Sequence, residues 1–208
     1  MPSEIVYDPY KNFAEEGDNP NSKMKNIFLV KQNSTGNRGW IIDLGVSDEG
    51  SGISMTFDSF ENVYLTEYTR NVLEGKKNSG DFTVFLVKYN SMGNREWIAK
   101  LGRSTVENGA RLITDSYDNI YVTGFSSEFE SDNDFGTVNT LLAKYDSSGI
   151  RQWTKPLKST YSDFAWDVTV DYDDNIYVTR FSGNSFAINT GLEKDILLIK
   201  FNTYGIKL

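Results

Sequence analysis

One segment recurs along this chain at a nearly fixed step, and that repetition restricts the fold to architectures assembled from equal units. FLVKQNSTGNRGWIIDLG from Phe28 returns as FLVKYNSMGNREWIAKLG from Phe85, as LLAKYDSSGIRQWTKPLK from Leu141 and in part as LLIKFNTYGIKL from Leu197. Trp40, Trp97 and Trp153 are separated by 57 and 56 residues. Lys31, Lys88, Lys144 and Lys200 keep the same step, as do Gly36, Gly93, Gly149 and Gly205. A second motif alternates with the first: ISMTFDSFENVYLTEY from Ile53, ARLITDSYDNIYVTGF from Ala110 and WDVTVDYDDNIYVTRF from Trp166. It puts Asp58, Asp115 and Asp171 in one phase and Tyr64, Tyr121 and Tyr177 in another, with Tyr7 one period before Tyr64.

Each period reads as four short strands, A to D, exemplified by residues 109–115, 119–125, 139–145 and 151–157. Segments such as IYVTGF and FLVKYN are rich in β-branched and aromatic residues and are bounded by turn residues. The C to D connection, Asn-Ser-x-Gly or Asp-Ser-Ser-Gly, suits a type I turn closed by a left-handed glycine. The A to B connection is expected to fold back through Asp side chains. Two hairpins per period make a four-stranded antiparallel sheet, too small to bury both faces alone. Such sheets stack around an axis as propeller blades. The recurring tryptophans then belong to the framework between sheets.

Composition narrows the chemistry. The chain has no histidine and no cysteine, which removes His-based triads, thiolate nucleophiles, zinc fingers, haem ligands and iron–sulfur sites. Carboxylate, Lys, Arg, Tyr and hydroxyl remain, and for metals only hard cations bound by oxygen. With 21 Lys and Arg against 29 Asp and Glu the net charge is −8, so no basic stripe for nucleic acid is expected. No apolar run is long enough to span a bilayer, so membrane insertion is not expected. The start, MPSEIVYDPYKNF, has no basic segment followed by an apolar one, so no secretory signal is expected within this chain.

The patterns K-(Y/Q/F)-(N/D)-(S/T)-x-G-x-(R/K)-x-W and D-x-x-x-N-(I/V)-Y-(V/L)-T resemble those of the bacterial β-propeller repeats often called SBBP repeats, over nearly all of residues 26–208. The resemblance implies a propeller fold, large secreted or surface-exposed proteins, and no catalytic residues. Where that family usually has Gly before Asn in the A to B turn, this chain has Glu61, Asp118 and Asp174. Quinoprotein repeats share the spacing of Gly149 and Trp153, with the preceding Asp one residue closer here, and sialidase-type Asp boxes are more compact than Asp146, Gly149 and Trp153.

The fold class expected is therefore all-β, a propeller of about four blades. Residues 1–208 form one domain, with blades at 1–44 (partial), 45–101, 102–158 and 159–208, the last without its final strand. Three arrangements fit: a four-bladed monomer closing with a gap, two chains completing a wider ring, or a piece of a longer propeller. Open sheet edges favour pairing with a second copy.

Positions identical in every period are explained by packing and turns, so function is sought where the periods differ. On the inner strand Ser54, Arg111 and Asp167 share one phase and differ in charge, with Trp166 beside them. These four are the candidate ligand residues, since inner strands line a propeller's channel; alternatively Arg111 and Asp167 pair with each other or stay solvated. The long B to C connections also differ completely, and variable loops on a rigid scaffold concentrate binding. The middle one carries Glu128, Glu130, Asp132 and Asp134, a candidate Ca²⁺ site that lacks the glycine and the terminal Glu of an EF-hand loop. No other cofactor is expected.

The function these features point to is a non-catalytic scaffold that presents loops and a channel mouth to a protein or glycan partner. Two alternatives stand beside it. One is a polysaccharide hydrolase or lyase working with a carboxylate pair. The other is a structural spacer in a larger surface protein.

Overall fold

The computed structural model describes residues 4–8, 25–32, 35–47, 54–69, 82–104, 111–126, 139–157, 163–182 and 195–208. Every regular element among them is a strand. The chain forms two compact units, Met1–Gly50 with Met92–Asn94, and Ser51–Ser91 with Arg95–Leu208.

In the first unit β1 (Glu4–Asp8), β2 (Lys25–Gln32) and β3 (Arg38–Ser47) form an antiparallel sheet in chain order. β1 takes the place of a B strand, as the phase of Tyr7 predicts, with one difference. Ile5, and not Tyr7, lies opposite Lys31, whereas Tyr64 lies opposite Lys88. The offset is two residues, which keeps the alternation of faces.

The second unit holds three sheets. β4 (Ser54–Phe57), β5 (Val63–Thr69), β6 (Phe82–Tyr89) and β7 (Arg95–Ser104) form one; β8 (Arg111–Thr114), β9 (Ile120–Ser126), β10 (Asn139–Tyr145) and β11 (Arg151–Leu157) form the next. β12 (Asp163–Val170), β13 (Ile176–Ser182) and β14 (Asp195–Phe201) form the third. Each is an antiparallel meander, the blade of a β-propeller. The first strands of these sheets, β4, β8 and β12, run beside one another, as inner strands do. The core lies between consecutive sheets. Tyr64, Leu86, Leu112, Ile120, Val122, Ala143 and Tyr145 fill one interface with Trp97 against them. Tyr121, Leu142, Leu157, Val168, Ile176, Val178, Ile199 and Phe201 fill the next with Trp153.

Both turn types close in the same way. Gly36, Gly93, Gly149 and Gly205 have φ of 80°, 86°, 84° and 71°, as the C to D sequence predicts. In the A to B turns Glu61, Asp118 and Asp174 take φ of 60°, 61° and 58°. Asx chemistry is present there too: the Asp115 carboxylate accepts the backbone N–H of Tyr117 and of Asn119 at 3.0 and 2.9 Å. The acidic side chains thus stand in the left-handed region that glycine would occupy, at about 1–2 kcal/mol each.

The meander separates the two ends of each sheet in the second unit. A to B and C to D turns, which carry the recurring motifs, lie at one end; the strand ends that lead into the B to C and D to A connections lie at the other.

Candidate functional site

The fixed-phase residues build one network, repeated. The buried Asp58 carboxylate accepts the Phe60 and Asn62 backbone N–H groups at 3.0 and 2.9 Å, the Asn62 side-chain amide at 2.7 Å and the Tyr64 hydroxyl at 3.0 Å. Lys88 Nζ lies 5.4 Å from the Tyr64 ring centroid, 4.0 Å from Asp58 and 3.0 Å from Glu96. Lys144 over Tyr121 at 5.3 Å and Lys200 over Tyr177 at 5.0 Å repeat the cation–π contact. The recurring lysines therefore do more than cover apolar surface with their stems. The Lys88 ammonium completes a buried carboxylate–phenol pair, and Lys200 lies 3.5 Å from the half-buried Asp171.

The same residues tie each sheet to the next. Lys88 Nζ and Trp97 Nε1 both donate to the Ser147 carbonyl, at 3.4 and 3.2 Å, and Lys144 and Trp153 do so to Thr203 at 3.4 and 3.3 Å. A Cβ on Gly149 would meet Trp97 Cδ2 at 2.9 Å, so this glycine also makes room for the indole. Within the first unit Gly93 covers Trp40 likewise, at 3.0 Å. The sequence alone does not reveal the third tie. Asp118 accepts the backbone N–H and the hydroxyl of Ser59 at 2.7 and 2.8 Å, and Asp174 accepts those of Ser116 at 2.9 and 2.7 Å. These charge-assisted bidentate brackets account for an acidic residue where glycine would cost less.

Protonation follows this wiring. The Asn175 side-chain amide above all holds the Asp171 carboxyl well below the usual range, with further donors from the Asn175 and Asp173 backbone and the Tyr177 hydroxyl. For Asp146 burial acts in the opposite sense, and the hydrogen bonds from Ser148, Ile150 and Gln152 outweigh it, so its pKa is also lowered. Burial first, and then Asp58 and Asp115, push the Tyr64 and Tyr121 phenols far above 10.0. A lowered carboxyl contributes stability that is present above the unfolded value of 3.8 and lost as pH falls toward the folded value. A raised phenol contributes stability that is present below 10.0 and lost as pH rises, because only the unfolded chain ionises there. The melting temperature is therefore expected to be flat between about pH 5 and 9 and to fall on both sides. Circular dichroism melts across pH check this, and Asp171→Asn should weaken the acid limb. An acid limb unchanged in that variant would contradict the assignment.

The candidate ligand residues lie halfway along the sheets, opposite the central residue of each B strand. Ser54, Arg111 and Asp167 face Thr66, Thr123 and Thr179 across the A to B ladders, so the shared phase is real. Ser54 Oγ accepts the Leu112 backbone N–H at 3.3 Å and so links two inner strands. Arg111 is half-buried and Asp167 exposed, the latter accepting the N–H of Val168 at 2.9 Å. Among the described residues no ion pair joins Arg111 to Asp167. Trp166 sits at the register shift of β12 between Ala165 and Asp167. Glu128, Glu130, Asp132 and Asp134 lie outside the described residues, and among the described ones no acidic cluster is grouped to hold a metal ion. No helix of the described residues is long and apolar enough to cross a membrane.

No protein-family model matches the chain. The chain is similar to an uncharacterized WD repeat-containing protein of Acanthamoeba polyphaga mimivirus, 24 % identical over 81 % of this chain and 16 % of that protein. It therefore spans about a sixth of the length of the curated relative it matches. With four antiparallel blade-like sheets, this likeness places the chain among repeat proteins of the β-propeller type.

Proposed function

We propose that this protein is a non-catalytic interaction scaffold that holds Ser54, Arg111, Asp167, Trp166 and the variable connections toward a protein partner. One observation carries the reading: the side chains fixed in every period are consumed inside and between the sheets, through Asp58, Tyr64, Lys88 and Trp97 and their repeats. Ser54, Arg111 and Asp167, which differ between periods, stand outside that network, halfway along the sheets. The likeness to a WD repeat-containing protein supports the same class, as the motif resemblance to SBBP repeats does for the finer family. Calcium at the Glu128 to Asp134 loop belongs to this proposal, as a brace that would order one variable connection.

Exposed Phe60 and Tyr117, at the tips of two turns joined by the Ser59–Asp118 bracket, favour a glycan as the second class of partner. Their rings are large apolar faces held at fixed positions.

The test is quantitative co-purification from the natural source with the full chain, as wild type and as Arg111→Ala and Asp167→Ala. A partner anchored at these residues is expected to be lost roughly thirtyfold in one of them, the effect of a contact worth about 2 kcal/mol. Release of new reducing ends from a polysaccharide panel would instead mean an enzyme, and retention of every partner by both variants would remove the inner-strand site.

A further inference from the structure

We infer that the cleft between the second and third sheets of the larger unit binds an acidic segment of a partner protein, taking one carboxylate side chain together with an apolar neighbour. The cleft has a volume of about 260 Å³ and is lined by Lys155, Arg180 and Lys207 as its charged groups, with Leu157, Ile199 and Phe201 among the apolar walls. Among the described residues none that is acidic lines it. In a chain of net charge −8, three cations around one cavity are a concentration of the opposite sign.

The repeat shows that the framework does not require these charges. Lys155 stands in the phase of Ala99, and Arg180 in that of Gly124. The preceding interface between sheets thus closes with a methyl group and a hydrogen where this one carries two cations. Arg180 is only 5 % exposed, and its Nη1 donates to the Leu157 carbonyl at 2.7 Å, which fixes the guanidinium at the cavity wall. The Lys155 stem lies against Gly205, whose Cβ would meet Lys155 Cε at 2.8 Å, so a side chain at 205 would displace it. Among the described residues neither Lys155 nor Lys207 forms an ion pair.

The lining chooses a carboxylate over a phosphate. A phosphate site gathers backbone N–H groups or hydroxyls around three oxygens, and among the described residues no Ser or Thr lines this cleft. A planar guanidinium flanked by lysines matches a carboxylate, and the apolar walls accommodate the side chain beside it. This site deepens the scaffold reading and rests on it, at a different place on the molecule from Arg111.

The experiment measures fluorescence anisotropy of a labelled short peptide alternating Asp and Leu, titrated with the full chain, against a control alternating Asn and Leu. Wild type is expected to bind the acidic peptide at least about tenfold more tightly than the control, and Lys155→Ala with Lys207→Ala to lose at least about tenfold. Both lysines reach solvent, so the double variant keeps the fold, which its melting temperature verifies. Arg180→Lys is the second variant; it retains the charge, loses the fork, and is expected to weaken binding as well. Equal affinity for both peptides, an unchanged constant in the lysine double variant, or full displacement by inorganic phosphate at equal concentration would overturn the proposal. Loss here with partners retained at Arg111, or the reverse, distinguishes failure of the cleft from failure of the scaffold reading.

Discussion

Replacing Trp153 by alanine is expected to lower the unfolding free energy by about 3–5 kcal/mol and the melting temperature by about 6–20 °C. The indole packs against the cluster between the last two sheets, beside the Tyr121 ring at 6.0 Å between centroids. Its Nε1 donates to the Thr203 carbonyl at 3.3 Å, so truncation removes packing from one sheet and a hydrogen bond from the next. Burying an indole withdraws on the order of 150–250 Å² from water, and strands on either side are held by their own ladders, which limits collapse into the void. Trp153→Phe keeps most of the packing and loses the donor, and its expected cost is about 1 kcal/mol. Chemical denaturation of the three proteins gives the values. A loss below about 1 kcal/mol for alanine would mean that the sheets are not held through this residue.

That role was legible in the sequence because a Trp at constant phase, in chains of alternating strands, has nowhere to go except between equal sheets. The strands and both turns were legible for the same reason, as was the left-handed glycine. Three features were not. Asp118 and Asp174 occur where glycine is the cheaper residue, and their reason lies 59 and 58 residues away in chain terms, at Ser59 and Ser116. A fixed phase reports recurrence; it does not report which side chain of the neighbouring period is within reach. The offset of Tyr7 escaped because a two-residue shift leaves the apolar alternation unchanged, so the pattern carries no trace of it. Lys155 and Arg180 differ from Ala99 and Gly124 as visibly as Arg111 differs from Ser54. Only the packing of two sheets shows that they converge on one cleft with Lys207, which arrives from beyond the last strand.

The candidate site is thus divided by the physics of the repeat. Hydrogen bonds inside the turn end are short and charge-assisted and engage the recurring polar side chains, while the rings of Phe60 and Tyr117 stay exposed there. Ser54, Arg111 and Asp167, which differ between periods, lie away from those turns, halfway along the sheets. Among the described residues no ion pair joins Arg111 and Asp167 on their neighbouring inner strands, which forgoes only the small gain an exposed pair would give.

Asp115→Ala should cost about 3–5 kcal/mol, as breaking a buried charged network does. The carboxylate is 6 % exposed and accepts from the Tyr117 and Asn119 backbone, the Asn119 amide at 2.9 Å and the Tyr121 hydroxyl at 3.0 Å. Removing it leaves a fully buried phenol without this acceptor and a turn whose αL residue, Asp118, is then held by its backbone bond to the residue 115 carbonyl and its bracket to Ser59. Tyr121→Phe removes the donor instead and is expected to cost about 1–2 kcal/mol, since the ring and its packing remain. The decisive quantity is the double variant. If the two groups act as one unit, the losses will fall short of additivity by at least about 1 kcal/mol, because the phenylalanine has already removed the orphaned hydroxyl that makes the alanine so costly. Additive losses would mean that Asp115 stabilises only its own turn, and that the tie from turn to core runs through the backbone rather than through this carboxylate.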